Sequence, residues 1–196
     1  MVVTLIGVSL FVLLIFSGER GLAVVKQFTS LFAPEKVIVQ EIEGEKERTE
    51  VQLNEGSHAE YVMYIDESRY TMKRGEDADV ITTIEPLPDH YPEVSMEIRQ
   101  IDSVSPDQYV LDMTEELKQE FPDLQGPEFV TEPVEGYQLH GISSGQDWDS
   151  PVIHVYIISN GKSGSFVITQ RYFLEAAEGH GARFNEMLKE FQPVED

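Results

Sequence analysis

The sequence predicts an α+β fold: a largely antiparallel sheet packed by two amphipathic helices in an α/β/α-like sandwich, preceded by an N-terminal transmembrane helix. Three observations predict it. Two apolar runs, Val152–Ile158 and Phe166–Tyr172, flank Asn160-Gly161-Lys162-Ser163-Gly164 and read as a β-hairpin. Both alternating faces of the first run are apolar apart from His154, so that strand belongs in the middle of a sheet, covered on both sides. Phe184, Met187, Leu188 and Phe191 then recur at helical spacing from Ala182 onward, making one apolar stripe that can lie on the sheet. Finally, Met1–Ser17 carries no charged side chain.

Taken in order, Met1–Ser17 would span roughly 25 Å as a helix, slightly less than a hydrocarbon core of about 30 Å. Leu22, Val24, Val25, Phe28, Leu31 and Phe32 extend the apolar character, so residues 1–33 are expected to form a membrane anchor with a juxtamembrane helix. A cleaved signal peptide fits less well, because no Lys or Arg precedes the run and no small-x-small site precedes Pro34. Arg20, Lys26 and Lys36 all follow the span, and the positive-inside rule taken literally would keep the rest of the chain in the cytoplasm. An apolar N-terminal segment ahead of one soluble domain is more often an export device. The expectation is therefore a single-pass protein of the cell membrane with its acidic domain extracytoplasmic.

Residues 34–56 read as a charged tether. Lys36–Ile42 alternates as a first strand, and Glu41–Glu50 is a charge run expected to be exposed. Residues 57–196 should then form the folded domain. Ala59–Ile65 is a strand, and Tyr70–Lys73 turns through Arg74-Gly75-Glu76-Asp77 into Val80–Ile84. Pro86, Pro88 and Pro92 make a loop before the alternating strand Val94–Ile101. Ser105 as N-cap, Pro106 at the first helical position and Gln108 as capping-box partner start a helix whose stripe is Tyr109, Val110, Met113, Leu117 and Phe121. Strands at Glu128–Thr131 and Gly136–Ser143 and a polar loop from Gln146 to Pro151 complete the domain.

Composition excludes several functions. The formal charge is -22, and from Pro34 onward 12 Lys and Arg stand against 35 Asp and Glu. Such a surface repels nucleic acid, so no nucleic-acid partner is expected; the acid surplus reads first as a solvated face that keeps the domain soluble, and a basic protein partner or divalent cations are the attractions it permits. The absence of cysteine removes disulfides, thiolate chemistry and cysteine-bearing zinc sites.

Motifs are few. Gly141-Ile142-Ser143-Ser144-Gly145 matches G-x-S-x-G, which in esterases lifts a nucleophilic serine onto a strand-to-helix turn. Here a polar loop and a proline follow, and an ordinary turn accounts for the residues; a hydrolase using Ser143 with His154 or His180 is the alternative reading. Gly161-Lys162-Ser163 resembles the end of a phosphate-binding loop, but Tyr156 stands where its first glycine belongs. Asp147 and Asp149, with Glu132 or Glu135, offer oxygen ligands without the glycine and terminal glutamate of a calcium loop. Among His58, His90, His140, His154 and His180 no H-x-H or i, i+4 pair occurs, so no metal or other cofactor is assigned, and His154 reads as a hydrogen-bonded sheet residue. Trp148, the only tryptophan, sits in the acidic loop; with Asp147 and Asp149 it is the candidate binding site.

Phe166-Val167-Ile168-Thr169-Gln170-Arg171-Tyr172, followed by Glu178-Gly179-His180-Gly181-Ala182-Arg183-Phe184 and Phe191, resembles the close of PsbP-like domains, which include DcrB-like envelope lipoproteins. The strand at Val94–Ile101 leading to the capped helix at Ser105 is similar too, so the resemblance covers about Ala59–Phe191. It implies an antiparallel sheet between helices, used for binding or assembly and seldom for catalysis. No lipobox cysteine is present, and no family ligand set carries over to named residues. The function expected is a membrane-anchored, extracytoplasmic, non-catalytic binding domain.

Overall fold

The computed structural model describes residues 29, 31–57, 60–143, 145 and 147–194. The segment expected to cross the membrane lies outside the described residues; among those described, no helix is long and apolar enough to do so. Pro34–Glu195 forms one compact unit. In the unit before it, the Phe32 amide donates to the Thr29 carbonyl at 3.1 Å.

The fold is α+β and its strand pairings are antiparallel. Eleven strands are described: β1 (Glu35–Ile42), β2 (Glu45–Glu55), β3 (Tyr61–Ile65), β4 (Tyr70–Lys73), β5 (Asp79–Thr83), β6 (Ser95–Ile101), β7 (Gln125–Val130), β8 (Gly136–Ile142), β9 (Pro151–Ser159), β10 (Ser165–Phe173) and β11 (Gln192–Pro193). Helix α1 (Pro106–Glu120) joins β6 to β7, and α2 (Ala182–Leu188) follows β10 through a 3-10 turn and a π turn. Seven strands form one sheet in the order β4-β5-β6-β10-β9-β8-β7, and four form another in the order β1-β2-β3-β11.

The β9–β10 hairpin occupies the interior of the large sheet, as its two-sided apolar pattern predicts. Its turn is tied by Asn160, whose Oδ1 accepts from the Lys162 and Gly164 amides at 2.9 and 3.0 Å. On one face, Ile153, Val155 and Ile157 of β9 and Val167 of β10 meet Val110, Leu117 and Phe121 of α1 and its C-cap. On the other, Tyr156, Phe166 and Ile168 meet Phe184, Met187, Leu188 and Phe191 together with Tyr61, Met63 and Ile65 of β3. Here α2 ends at Leu188, and Phe191 lies beyond it, stacked on Tyr61 with ring centroids 4.8 Å apart. Helix α1 begins with Pro106 at the expected position, but Ser105 makes no side-chain capping bond.

Two expectations need correction. Residues 34–56 are not a tether: β1 and β2 form a hairpin whose two-residue turn, Glu43-Gly44, holds both residues at positive φ, 55° and 77°. Glycine meets that requirement at no steric cost. The charge run itself is exposed as expected, with Glu47 half-buried and only Ile42 and Thr49 turned fully inward; past it Val51 is buried as well, while Arg48 and Glu50 face solvent. The second correction is the sheet count, since β1, β2 and β3 with β11 make a separate sheet rather than extending the first.

Candidate functional site

The loop between β8 and β9 presents Trp148, and its backbone is pinned at several points. Asp147 and Ser150 bond reciprocally: the Asp147 amide donates to Ser150 Oγ at 3.0 Å and the Ser150 amide to the Asp147 carbonyl at 3.0 Å. The Trp148 carbonyl accepts from the Glu175 amide at 2.9 Å, and the Ser150 carbonyl from the Leu174 amide at 3.0 Å. The loop is thus fastened to the segment that leaves β10.

That fastening sets Trp148 among aromatic rings from two other parts of the chain. Tyr91, in the proline-rich loop before β6, lies edge-on at 5.3 Å, and Phe173, at the end of β10, lies at 6.1 Å; Tyr91 and Phe173 are 5.4 Å apart. His90 lies 4.5 Å from Tyr91. Phe173 is buried and belongs to the core, whereas Trp148 is 44% and Tyr91 37% exposed. The cluster therefore has a fixed base and an open rim. Asp147 and Asp149 are exposed on either side of Trp148, and exposed Asp89 and Glu175 lie in the segments that carry Tyr91 and follow Phe173. The sequence singled out Trp148, Asp147 and Asp149 and missed Tyr91, which is distant in the chain and carries no local signal. Among the described residues no group of three or more His, Asp or Glu side chains converges as an ion-holding set, at Asp147 and Asp149 or elsewhere.

The Ser143 amide donates to the Pro151 carbonyl at 2.9 Å. His180 Nδ1 is engaged by the Tyr70 hydroxyl at 2.8 Å. Among the described residues no hydrogen bond joins Ser143 to either imidazole. Gly141 has a packing explanation instead: a Cβ there would stand 2.8 Å from Cβ of Phe121 on the α1 side.

His154 is not the hydrogen-bonded sheet residue expected, because its Nδ1 is buried with no partner in the protein. It faces His140 directly across β8 and β9, with ring centroids 4.2 Å apart at 86°. Burial, followed by repulsion from His140, pushes His154 down to about 4, and burial lowers His140. Residues equidistant from Asp147 are partners in this pair of strands. The hairpin, once its centre is fixed, therefore brings the two histidines together.

A cavity of about 320 Å³ opens near the far end of β6, lined by Glu60, Asp77, Asp79 and Asp102 over Tyr61 and Phe166. Asp79 within it is buried and saturated: it accepts from Tyr61 Oη at 2.6 Å, from the Ser57 amide at 2.7 Å and from Ser57 Oγ.

No family model matches the chain, and no curated protein matches it. Among solved structures it is similar to a point mutant of protein Mog1, at 14% identity, with 74% of this chain and 96% of that chain covered and a TM-score of 0.46.

Proposed function

We propose that the chain is a membrane-tethered, extracytoplasmic, non-catalytic binding module that captures a basic protein segment at Trp148 and Tyr91. The observation that carries this reading is an exposed indole and phenol seated on buried Phe173, with Asp147 and Asp149 flanking the indole. An arginine or lysine over either ring gains about 0.5–1 kcal/mol at an exposed site, and the carboxylates add attraction of the same sign. The formal charge of -22 steers cationic partners inward at low ionic strength. The pinned loop reduces the entropy lost on capture, since its backbone is held before a partner arrives.

Attachment to the membrane rests on the uncharged Met1–Ser17, as a single transmembrane helix ahead of an α/β/α-like sandwich. The resemblance to PsbP-like domains supports the same use, binding without catalysis.

Trp148 is the sole tryptophan, so it reports directly. Full-length protein in detergent micelles is titrated with an arginine-rich peptide and with a glutamate-rich control. A saturable emission change for the basic peptide alone, weakened by salt and lost in Tyr91→Ala, supports the reading; equal responses to both peptides defeat it. Protease added to intact cells decides the side, and protection of the acidic domain until lysis defeats the extracytoplasmic placement.

A further inference from the structure

Three buried side-chain atoms among the described residues lack a hydrogen-bond partner in the protein: His154 Nδ1, Gln170 Oε1 and Arg183 Nε. Two of the three belong to residues directly opposed across neighbouring strands, His154 on β9 and Gln170 on β10. A buried polar atom left without a partner costs about 1–3 kcal/mol, so two at one register position call for a physical reason. His140, on the third strand of the same row, supplies it.

We propose that His140 and His154 form a two-imidazole site for a divalent transition metal ion of the Cu²⁺, Ni²⁺ and Zn²⁺ class, with the Gln170 amide oxygen as a further donor. Side chains directly opposed on antiparallel strands have Cβ atoms about 4.5–5.5 Å apart, which lets two imidazoles reach one ion from adjacent strands. At metal–nitrogen distances of about 2.0–2.1 Å, two rings sharing an ion at adjacent coordination positions have centroids about 4.5–5 Å apart. The observed 4.2 Å separation needs only small ring rotations to reach that arrangement. Imidazole nitrogen selects this class of ion over Ca²⁺ and Mg²⁺, which prefer oxygen, and Cu²⁺ should bind tightest.

The surroundings fit a fixed site. Gln170 is fully buried, and its Nε2 donates to Asn185 Oδ1 at 3.2 Å, which leaves Oε1 as its free donor atom. The Tyr172 and Tyr156 rings stand 6.1 and 6.2 Å from the His154 ring. Both histidines are only half-buried, so an ion can reach them from solvent. Burial already favours the uncharged imidazoles that coordinate metal. No third His, Asp or Glu joins the pair among the described residues, so water completes the coordination sphere. This site is separate from the Trp148 patch and does not depend on the function proposed there.

The test uses full-length, metal-free protein in detergent micelles, titrated calorimetrically with Cu²⁺, Ni²⁺ and Zn²⁺ in excess Mg²⁺, which occupies carboxylate sites on the acidic surface. One saturable site is expected, with electron paramagnetic resonance of the Cu²⁺ form showing nitrogen coupling. His140→Gln, at a half-exposed position, should weaken binding by about a hundredfold, the low end of what a second tethered ligand contributes. His154→Gln should do the same, and His90→Gln should not. Near-UV circular dichroism checks that each variant is folded. Binding that Mg²⁺ abolishes, or that survives His140→Gln in a folded protein, overturns the proposal, as does the lack of any saturable binding.

Discussion

The Tyr61 hydroxyl donates to Asp79 Oδ2 at 2.6 Å, linking β3 of the four-stranded sheet to β5 of the seven-stranded one beneath a shared apolar cluster. Both residues are 2% exposed, and burial together with the carboxylate pushes the phenol far above its ordinary range. Tyr61→Phe keeps the ring and removes only the donor, so it should cost about 1.5–3 kcal/mol, the worth of a hydrogen bond to a charged group. Asp79→Ala also orphans the Ser57 amide and should cost more. Urea denaturation of both single variants and the double variant checks this; additive losses would show that the two groups do not act as a pair.

Gly141 and Ser143 separate packing from chemistry within one motif. A methyl group at position 141 meets Phe121 at 2.8 Å, and Phe121 is 1% exposed at the C-cap of α1, where it cannot retreat without opening the core. Gly141→Ala should therefore destabilise by about 1–3 kcal/mol, the usual cost of overpacking. Ser143→Ala, at a half-buried position, should stay within about 0.5 kcal/mol. A thermal melt of each variant measures the contrast, and a larger loss at Ser143 would return attention to a role for its hydroxyl.

The β9–β10 hairpin and the stripe of α1 were legible because burial on a sheet or helix face writes a period into the sequence, and there the period is apolar. In β2 the period exists but is masked. Glu47, Thr49, Val51 and Leu53 face one way and Lys46, Arg48, Glu50 and Gln52 the other, yet only Thr49 and Val51 are buried, so charge density hides the alternation. The Glu43-Gly44 turn lacks the Asn-Gly or Asp-Gly signature of such loops, which hid the hairpin as well. At the candidate site, Trp148 could be singled out by being unique in composition. Tyr91 could not, because it reaches Trp148 only through the fold.

His180 makes stability depend on pH. It lies in the π turn before α2, with its Nδ1 bonded to Tyr70 on β4 and with Arg183 on α2 nearby, and burial followed by the Arg183 charge lowers its folded-state value. A histidine lowered in the folded state binds fewer protons there than when unfolded, so stability is fully present above the ordinary value near 6.5 and declines as pH falls below it. His180→Gln, which can still bond Tyr70 but does not titrate, should reduce the loss between pH 7 and pH 5 in chemical denaturation, leaving the part of the same sign that the lowered His140 and His154 contribute. An unchanged slope would assign the pH dependence to other groups.

Glu47 joins three elements and gives the last prediction. Its two carboxylate oxygens accept from Arg69 at 2.5 Å and from Arg183 on α2 at 2.8 Å, so β2 is tied both to the turn before β4 and to the helix over the large sheet. The Arg183 side chain is only 18% exposed and its Nε is already buried without a partner, so losing Glu47 would leave a poorly solvated cation. Opposing this, removing any carboxylate from a chain of charge -22 relieves self-repulsion. The informative quantity is therefore the difference between Glu47→Gln and Glu50→Gln, which remove the same charge from the same strand, Glu50 being exposed. Glu47→Gln should be the less stable by about 1 kcal/mol, the upper end for exposed pairs. The gap should narrow in 1 M NaCl, where screening acts within about 3 Å. Equal stabilities at low salt would mean that the two arginines find water as readily as they find Glu47, and that the hairpin is held by its pairing to β3 and by buried Ile42, Thr49 and Val51.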